Sequence, residues 1–179
     1  MFEIGTYVVC PGHGVGQVIN VDKKAIYFSI GGHPAFNVPL NQDEQRSDYQ
    51  LVFNKSETAT TQRLTNGLRN GMTDLILDNR NTISITDDLF EKDALVFHNL
   101  NSRNISIQKG DKKILTFDFT GFPYLGIWSS SRTAPFVCIE PWCGVADRIS
   151  HNQQITEKEG IVKLDTENVF EKSYSITIH

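Results

Sequence analysis

The sequence predicts an all-β, sandwich-like fold, and three observations support this prediction. Short runs of β-branched and aromatic residues recur along the chain between glycine, proline and asparagine turns. Several runs alternate apolar with polar residues, as a strand with one buried face does. Phenylalanine is abundant, at 11 of 179 residues, which suits a core between two sheets.

The strands predicted in the first half of the chain are short apolar runs that end at turn residues. They cover residues 7–10, 14–21, 25–30, 49–53, 75–77 and 82–85. The sequence Asp-Asn-Arg-Asn at 78–81 predicts a turn between the last two. Residues 87–92 are expected to form a single helical turn, with Asp87 as its N-cap.

The second half shows cleaner strand patterns. Residues 105–107, 115–119 and 174–178 each alternate apolar with polar side chains. The run Phe-Val-Cys-Ile at 136–139 is continuously apolar, which is typical of a buried central strand.

Composition and charge narrow the functional classes. The net charge of −4 gives little attraction to nucleic acid, so we expect no nucleic-acid partner. No apolar run approaches the roughly 18 residues that span a bilayer, and no signal peptide is visible at the N-terminus, so no membrane association is expected. Three cysteines, without metal-ligand spacing, favour a reduced, cytoplasmic setting and predict no metal site.

Two short segments carry the residues best suited to acid–base chemistry. Residues 31–37 (GGHPAFN) place His33 between paired glycines and a proline, and residues 138–144 (CIEPWCG) place Glu140 at the end of an apolar strand, close to Trp142. An imidazole titrates near neutral pH, and apolar neighbours raise the pKa of a carboxyl group. Such a pair, beside an aromatic face, suits proton transfer on a polar, ring-shaped substrate.

Structural roles are alternatives for each candidate. His33 could be a buried strand-end histidine held by backbone groups, and Glu140 could form a salt bridge with Arg103 or Arg132. Asp93 could cap a turn or a strand. Arg103 could be a solvated residue at a strand start, although its guanidinium could also fork onto sugar hydroxyls. Trp142 could be a core residue, and its place two residues after Glu140 favours the border of a pocket.

From about residue 28 to residue 179, the chain resembles the C-terminal half of an aldose 1-epimerase, in the galactose mutarotase-like family and its LacX-like bacterial branch. The resemblance implies part of a two-sheet supersandwich, and the N-terminal half of the usual domain has no counterpart here. The matching segments are 28–37 (FSIGGHPAFN), 93–97 (DALVF), 101–103 (NSR), 122–129 (FPYLGIWS) and 134–144 (APFVCIEPWCG).

The resemblance also implies an activity that needs no cofactor. His33 matches the general acid that protonates the sugar ring oxygen, and Glu140 matches the general base that deprotonates the C1 hydroxyl. Asp93 matches a sugar-binding aspartate, and we expect Arg103 and Trp142 to contribute to substrate binding. In the family, an arginine and a second histidine from the missing half also grip the sugar, and nothing in this sequence matches them.

Residues 1–18 (MFEIGTYVVCPGHGVGQV) resemble the start of a CarD-like RNA polymerase-interacting domain. The sequence therefore predicts an incomplete fragment at 1–25, followed by the epimerase-like β-sandwich at 26–179. Alternative functions are a non-catalytic carbohydrate-binding module or a polymerase contact. Because the N-terminal strands are too few to form a barrel, we expect them to pair with the sandwich, and its open face to favour a homo-oligomer.

Overall fold

A computed structural model describes residues 24–179 and the backbone of residues 15–19. The described residues form thirteen strands and two single turns of 3-10 helix, η1 (Arg46–Asp48) and η2 (Ile155–Glu157), so no described helix could cross a membrane. The strands are β1 (Val15–Ile19), β2 (Ile26–Phe28), β3 (Ala35–Asn37), β4 (Tyr49–Thr65), β5 (Leu68–Ser84), β6 (Leu95–His98), β7 (Asn104–Lys109), β8 (Lys112–Asp118), β9 (Tyr124–Trp128), β10 (Phe136–Trp142), β11 (Val162–Leu164), β12 (Val169–Ser173) and β13 (Ser175–Ile178).

Two antiparallel sheets enclose the hydrophobic core, which confirms the predicted all-β sandwich. One sheet has the strand order β3-β10-β9-β6, and the other has the order β13-β8-β7-β4-β5. Phe53 on β4 meets Phe97 on β6 edge to face, with ring centroids 6.0 Å apart, and Phe36 on β3 meets Phe117 on β8 in the same way at 6.2 Å. These aromatic pairs join the two inner faces across the core.

Strand β10 lies inside its sheet, between β3 and β9, as its apolar run predicted. Val137 and Ile139 point into the core and are fully buried. The intervening residues face the opposite side of the sheet, because side chains alternate along a strand. That outer face carries the candidate site.

Two short two-stranded sheets flank the sandwich, β1 with β12 and β2 with β11. The predicted strand at 14–21 therefore appears as β1, and it pairs with β12 rather than forming a separate domain, as expected. The predicted strand at 7–10 and most of the CarD-like segment lie outside the described residues. The division of the chain at residue 25 remains a prediction.

The predicted turn at 78–81 is wrong, because β4 and β5 form one hairpin with two 17-residue strands. Its tight turn is Asn66-Gly67, where both residues have positive φ, at 52° and 78°. Asn-Gly favours this two-residue turn. At residues 78–81 the chain continues as a strand with a β-bulge, since Glu57 pairs with Arg80 while Ala59 pairs with Leu77.

Side chains from the second half of β4 also form hydrogen bonds with β6, an edge strand of the other sheet, and with the turn after β6. The Thr61 hydroxyl, fully buried, accepts a hydrogen bond from the backbone N–H of Val96 on β6 at 2.8 Å. Buried Glu57 accepts backbone N–H groups from Asn101 and Ser102 in the turn after β6. The hairpin therefore bridges the two sheets through specific polar contacts.

The segment expected to form one helical turn instead forms successive three-residue turns. Backbone N–H groups of Leu89, Glu91 and Asp93 donate to the carbonyls three residues earlier. No continuous helix forms there. The segment leads directly into β6.

Candidate functional site

Three residues on the outer face of β10 form the floor of the candidate site. Cys138, Glu140 and Trp142 alternate along the strand and share this face. Their partners on β9 are Trp128 opposite Cys138 and Gly126 opposite Glu140. A carboxylate, a thiol and two indoles thus converge on one patch of the sheet.

His33 reaches this patch because the loop before β3 continues the pairing with β10. Ala35 pairs with Cys138, and Gly31 forms an isolated bridge with Trp142. The same register places His33 opposite Glu140, and the two backbone bonds on either side support it: Ile139 N–H to Pro34 carbonyl at 3.2 Å and Gly32 N–H to Pro141 carbonyl at 3.0 Å. His33 and Glu140 are therefore cross-strand neighbours.

The two side chains make direct contact. His33 Nε2 lies 3.3 Å from Glu140 Oε1, and the imidazole meets Trp128 edge to face with centroids 5.9 Å apart. The side chain of His33 is 61% exposed, whereas that of Glu140 is only 4% exposed. The alternative of a buried strand-end histidine is therefore wrong, and the contact sets an exposed imidazole over a buried carboxylate.

The pKa of the Glu140 carboxyl is raised above its ordinary value because burial penalises the charged form. The nearby His33 and a hydrogen bond from the Trp142 side chain oppose this rise without cancelling it. A carboxylate of this kind is a stronger base than an exposed one.

Trp142 covers the carboxylate because two glycines leave it room. A Cβ at Gly126 would lie 2.7 Å from Cζ2 and Cη2 of the indole, and a Cβ at Gly31 would lie 2.6 Å from its Cδ1. The ring therefore extends from the His33 loop to the centre of the sheet, beside Glu140. Its side chain donates the hydrogen bond that opposes the rise in the pKa of Glu140.

An open cleft of about 420 Å³ adjoins this floor, a volume within the range of small-molecule sites. One part of its lining is formed by Trp142 and the segment that ends at His33, and the other part is formed by the rim loop (residues 144–160). The remaining lining residues are Ser29, Ile30, Gly31, Gly32, Gly144, Val145, Ala146 and Lys158.

The rim loop is held in place by Arg69, near the tip of the β4–β5 hairpin. The Arg69 backbone N–H donates to the Asp147 carbonyl at 2.8 Å, and its Nε donates to the Ala146 carbonyl at 2.7 Å. Its guanidinium, almost fully buried, also pairs with Glu159 at 2.9 Å. The sequence around Arg69 carries no local signal of this role, because its partners are distant in the chain.

The other residues expected to bind substrate lie outside this cluster of contacts. Asp93 is exposed just before β6, has φ of 84°, and accepts the Ala94 backbone N–H at 2.7 Å. Arg103 is exposed after β6, and its guanidinium donates to the carbonyls of Leu100 and Ser102. Both have local structural roles, and their binding roles remain predictions.

The alternative salt bridges of Glu140 are not formed. Arg103 is bound within its own turn, and Arg132 pairs with Glu91. Among the described residues, the basic side chain in contact with Glu140 is His33.

Cys138 and Trp128 are further site residues that were not predicted. Cys138 is buried, and burial together with the charge of Glu140 raises the pKa of its thiol to about 11. The strand pattern could have identified Cys138, because residues two apart on a strand share one face. If Glu140 faces the outer side of β10, Cys138 must face the same side.

Comparisons with known proteins agree with this architecture. LacX of Lactococcus lactis subsp. lactis is 32% identical over 169 residues, which cover 90% of this chain and 56% of LacX. No family model matches the chain. The chain thus spans a little over half the length of the curated relatives that it matches.

Solved structures give the same result. A galactose mutarotase related enzyme from Lactobacillus acidophilus superposes with a TM-score of 0.83 at 29% identity, covering 92% of this chain and 56% of that one. A galactose mutarotase-like protein from Lactobacillus casei superposes with a TM-score of 0.79 at 26% identity, covering 97% of this chain and 61% of that one. These comparisons give no support to the CarD-like resemblance of residues 1–18. The chain therefore has the galactose mutarotase-like β-sandwich fold, over a little more than half of that architecture.

Proposed function

We propose that the chain interconverts the α and β anomers of an aldose by acid–base ring opening and reclosure. The observation that carries the proposal is the contact of His33 Nε2 with Glu140 Oε1 at 3.3 Å, at the edge of an open cleft. An accessible imidazole and a buried carboxylate of raised pKa are the two proton carriers that this reaction needs.

In the proposed reaction, Glu140 takes the proton of the C1 hydroxyl while protonated His33 gives a proton to the ring oxygen. The C1–ring oxygen bond breaks, and C1 becomes an aldehyde. Rotation about C1–C2 presents the other face of the carbonyl group. The ring hydroxyl then closes onto C1, returning its proton to His33, while Glu140 returns its proton to the new C1 oxygen.

The direct contact of the two side chains must open when a sugar binds. Each group needs to lie about 2.6–3.2 Å from its own oxygen atom, and the sugar then separates the two groups. Glu140 is fixed in the sheet, whereas the side chain of His33 is 61% exposed. We therefore expect the imidazole to move, and the indole of Trp142 to border the sugar.

The test is optical rotation of freshly dissolved α-D-glucose or α-D-galactose with the parent chain and matched variants. Glu140→Gln keeps the shape of the side chain and removes the base, so the rate should fall by about 10²–10⁴-fold. His33→Asn should give a comparable loss. Glu167→Gln makes the same chemical change at an exposed position and should leave the rate unchanged.

Retention of more than about a tenth of the parent rate by Glu140→Gln would rule out this residue as the general base. Sugar binding without catalysis is the alternative function, and the observation that favours it is that the chain covers 56% of the length of its curated relatives. Saturable sugar binding by calorimetry, with no accelerated mutarotation, would identify a carbohydrate-binding module that uses the same cleft.

A further inference from the structure

Three different metal-ligating groups meet at the candidate site. The donor atoms of His33, Cys138 and Glu140 all lie within 4.8 Å of one another. This cluster combines an imidazole nitrogen, a thiol sulfur and a carboxylate oxygen. The proposed isomerisation uses the imidazole and the carboxylate, and it leaves the thiol without a role.

The sheet fixes this arrangement. Cys138 and Glu140 are two residues apart on β10 and project from the same face. His33 is held opposite them by the pairing of Ala35 with Cys138 and of Gly31 with Trp142. Two of the three groups therefore come from one strand, and the third comes from a segment whose backbone is paired with that strand on either side of His33. Backbone pairing of this kind limits how far the ligands can drift apart.

The spacing suits a tetrahedral ion. With bonds of about 2.0–2.2 Å to nitrogen and oxygen, tetrahedral geometry separates those two ligands by about 3.4 Å. His33 Nε2 and Glu140 Oε1 are 3.3 Å apart. A thiolate bond of about 2.3 Å places the sulfur about 3.6 Å from the other ligands, so Cys138 would need only a small rotation from its position within 4.8 Å.

Burial leaves one side of the cluster open. Cys138 and Glu140 are 1% and 3% exposed, whereas His33 faces the cleft. An ion can enter from the cleft, and water can occupy its fourth position. Three protein ligands with one open position are typical of zinc sites that exchange a ligand.

We propose that His33, Cys138 and Glu140 form a binding site for a borderline-soft divalent ion, with Zn²⁺ as the preferred one. A set of nitrogen, sulfur and oxygen donors selects Zn²⁺ over Mg²⁺ and Ca²⁺, which prefer oxygen ligands alone. Binding releases the thiol proton to solvent, so that sulfur coordinates as thiolate.

A bound ion would occupy both groups of the proposed acid–base pair. We therefore expect Zn²⁺ to inhibit the isomerisation and a chelator to restore it; this consequence rests on the proposed function. The binding itself does not, because it can be measured without any sugar. A chain that binds the ion and has no isomerase activity would contradict only the proposed function.

The test uses Co²⁺ as a spectroscopic substitute, since a cobalt–thiolate bond gives a charge-transfer band in the near ultraviolet. Cys10→Ser is introduced into every protein, so that only Cys138 and Cys143 can provide a thiolate. We expect saturation at about one ion per chain, and displacement of Co²⁺ by Zn²⁺. Cys143 is also buried but lies outside the cluster, so Cys143→Ser should keep the band.

Cys138→Ser should lose the band and bind Zn²⁺ at least about tenfold more weakly by calorimetry. His33→Gln should also weaken binding, and its exposed position makes it the variant to use if Cys138→Ser does not fold. A band that persists in Cys138→Ser would overturn the site. So would the absence of saturable Zn²⁺ binding by the parent chain at millimolar ion.

Discussion

Replacement of Gly126 by alanine tests whether the indole of Trp142 is packed against the carboxylate as the structure shows. A Cβ at this position would lie 2.7 Å from Cζ2 and Cη2 of the indole. Ordinary contact between carbon atoms is about 3.5–4.0 Å, so the ring must move by about 1 Å. Its other end cannot simply retreat, because it already lies against Gly31.

Two effects of Gly126→Ala lower the free energy of unfolding, and one effect raises it. Overpacking at a close contact costs about 1–3 kcal/mol. Displacement of the indole weakens its hydrogen bond to buried Glu140, which adds about 1 kcal/mol. Removal of a glycine from a strand returns about 0.5–1 kcal/mol. The expected loss in the free energy of unfolding is therefore about 2 kcal/mol.

Urea unfolding, followed by far-ultraviolet circular dichroism, measures this loss of stability. A double-mutant cycle tests whether the loss comes from the contact with the indole of Trp142. Trp142→Phe removes the outer indole atoms that would meet the new methyl group. In that background, Gly126→Ala should cost no more than about 0.5 kcal/mol, which gives a coupling energy above 1 kcal/mol. Equal destabilisation in both backgrounds would refute the packing argument, and a neutral Gly126→Ala variant would do the same.

Three further predictions concern pH and assembly. Because burial raises the pKa of Glu140, activity should rise with pH along a limb above the ordinary value of 4.5; a limb at or below that value would contradict its role as base. Glu159 has a pKa lowered to about 2, chiefly by its hydrogen bond with Arg69, so the stability it contributes is present above about pH 4.5 and is lost as pH falls toward 2. Glu159→Gln should lower the free energy of unfolding at pH 7 by about 1–2 kcal/mol and flatten this acid slope, whereas parallel pH curves would argue against the pair. At the edge of its sheet, β13 exposes Ile176 and Ile178, so we expect self-association that Ile178→Lys weakens, and sedimentation as a monomer at high concentration would exclude it.

The strands with simple local patterns were predictable from sequence. Alternation in β8 and the apolar run in β10 follow directly from which side chains face the core. Both strands lie inside their sheets, so the burial of their core-facing side chains imposes the pattern. In β8 and β10, the local pattern of apolar residues therefore matches the side chains that are buried in the folded protein.

The long hairpin was not predicted because its two turn signals compete. Asn66-Gly67 forms the true turn, while the polar residues 78–81 look like a turn and form a bulge. The Asn79 N–H donates to the Thr58 hydroxyl at 3.1 Å, and Asn79 adopts φ of 47°, which asparagine tolerates well. Only pairing with β4 decides between the two, and that pairing is not local.

The part of the candidate site that lies on β10 and on the segment paired with it could be predicted from sequence. His33 and Glu140 were selected from sequence, and the structure places them in contact. Arg103 shows the limit of such reasoning, because the carbonyls that bind its guanidinium belong to its own turn. A sequence motif specifies which donors are present, whereas the turn geometry decides which acceptors they reach.

The pairing of two segments of one sheet is sufficient to position the proposed catalytic pair. His33 and Glu140 lie opposite each other on paired segments of one sheet, so their geometry depends on the β3–β10 register and on little else. The cleft beside them depends on more distant contacts, since the rim loop is held by Arg69 from the tip of the hairpin. Proton transfer and substrate enclosure therefore rest on separate parts of the fold. Sugar binding measured by calorimetry and the rate of mutarotation distinguish these two properties.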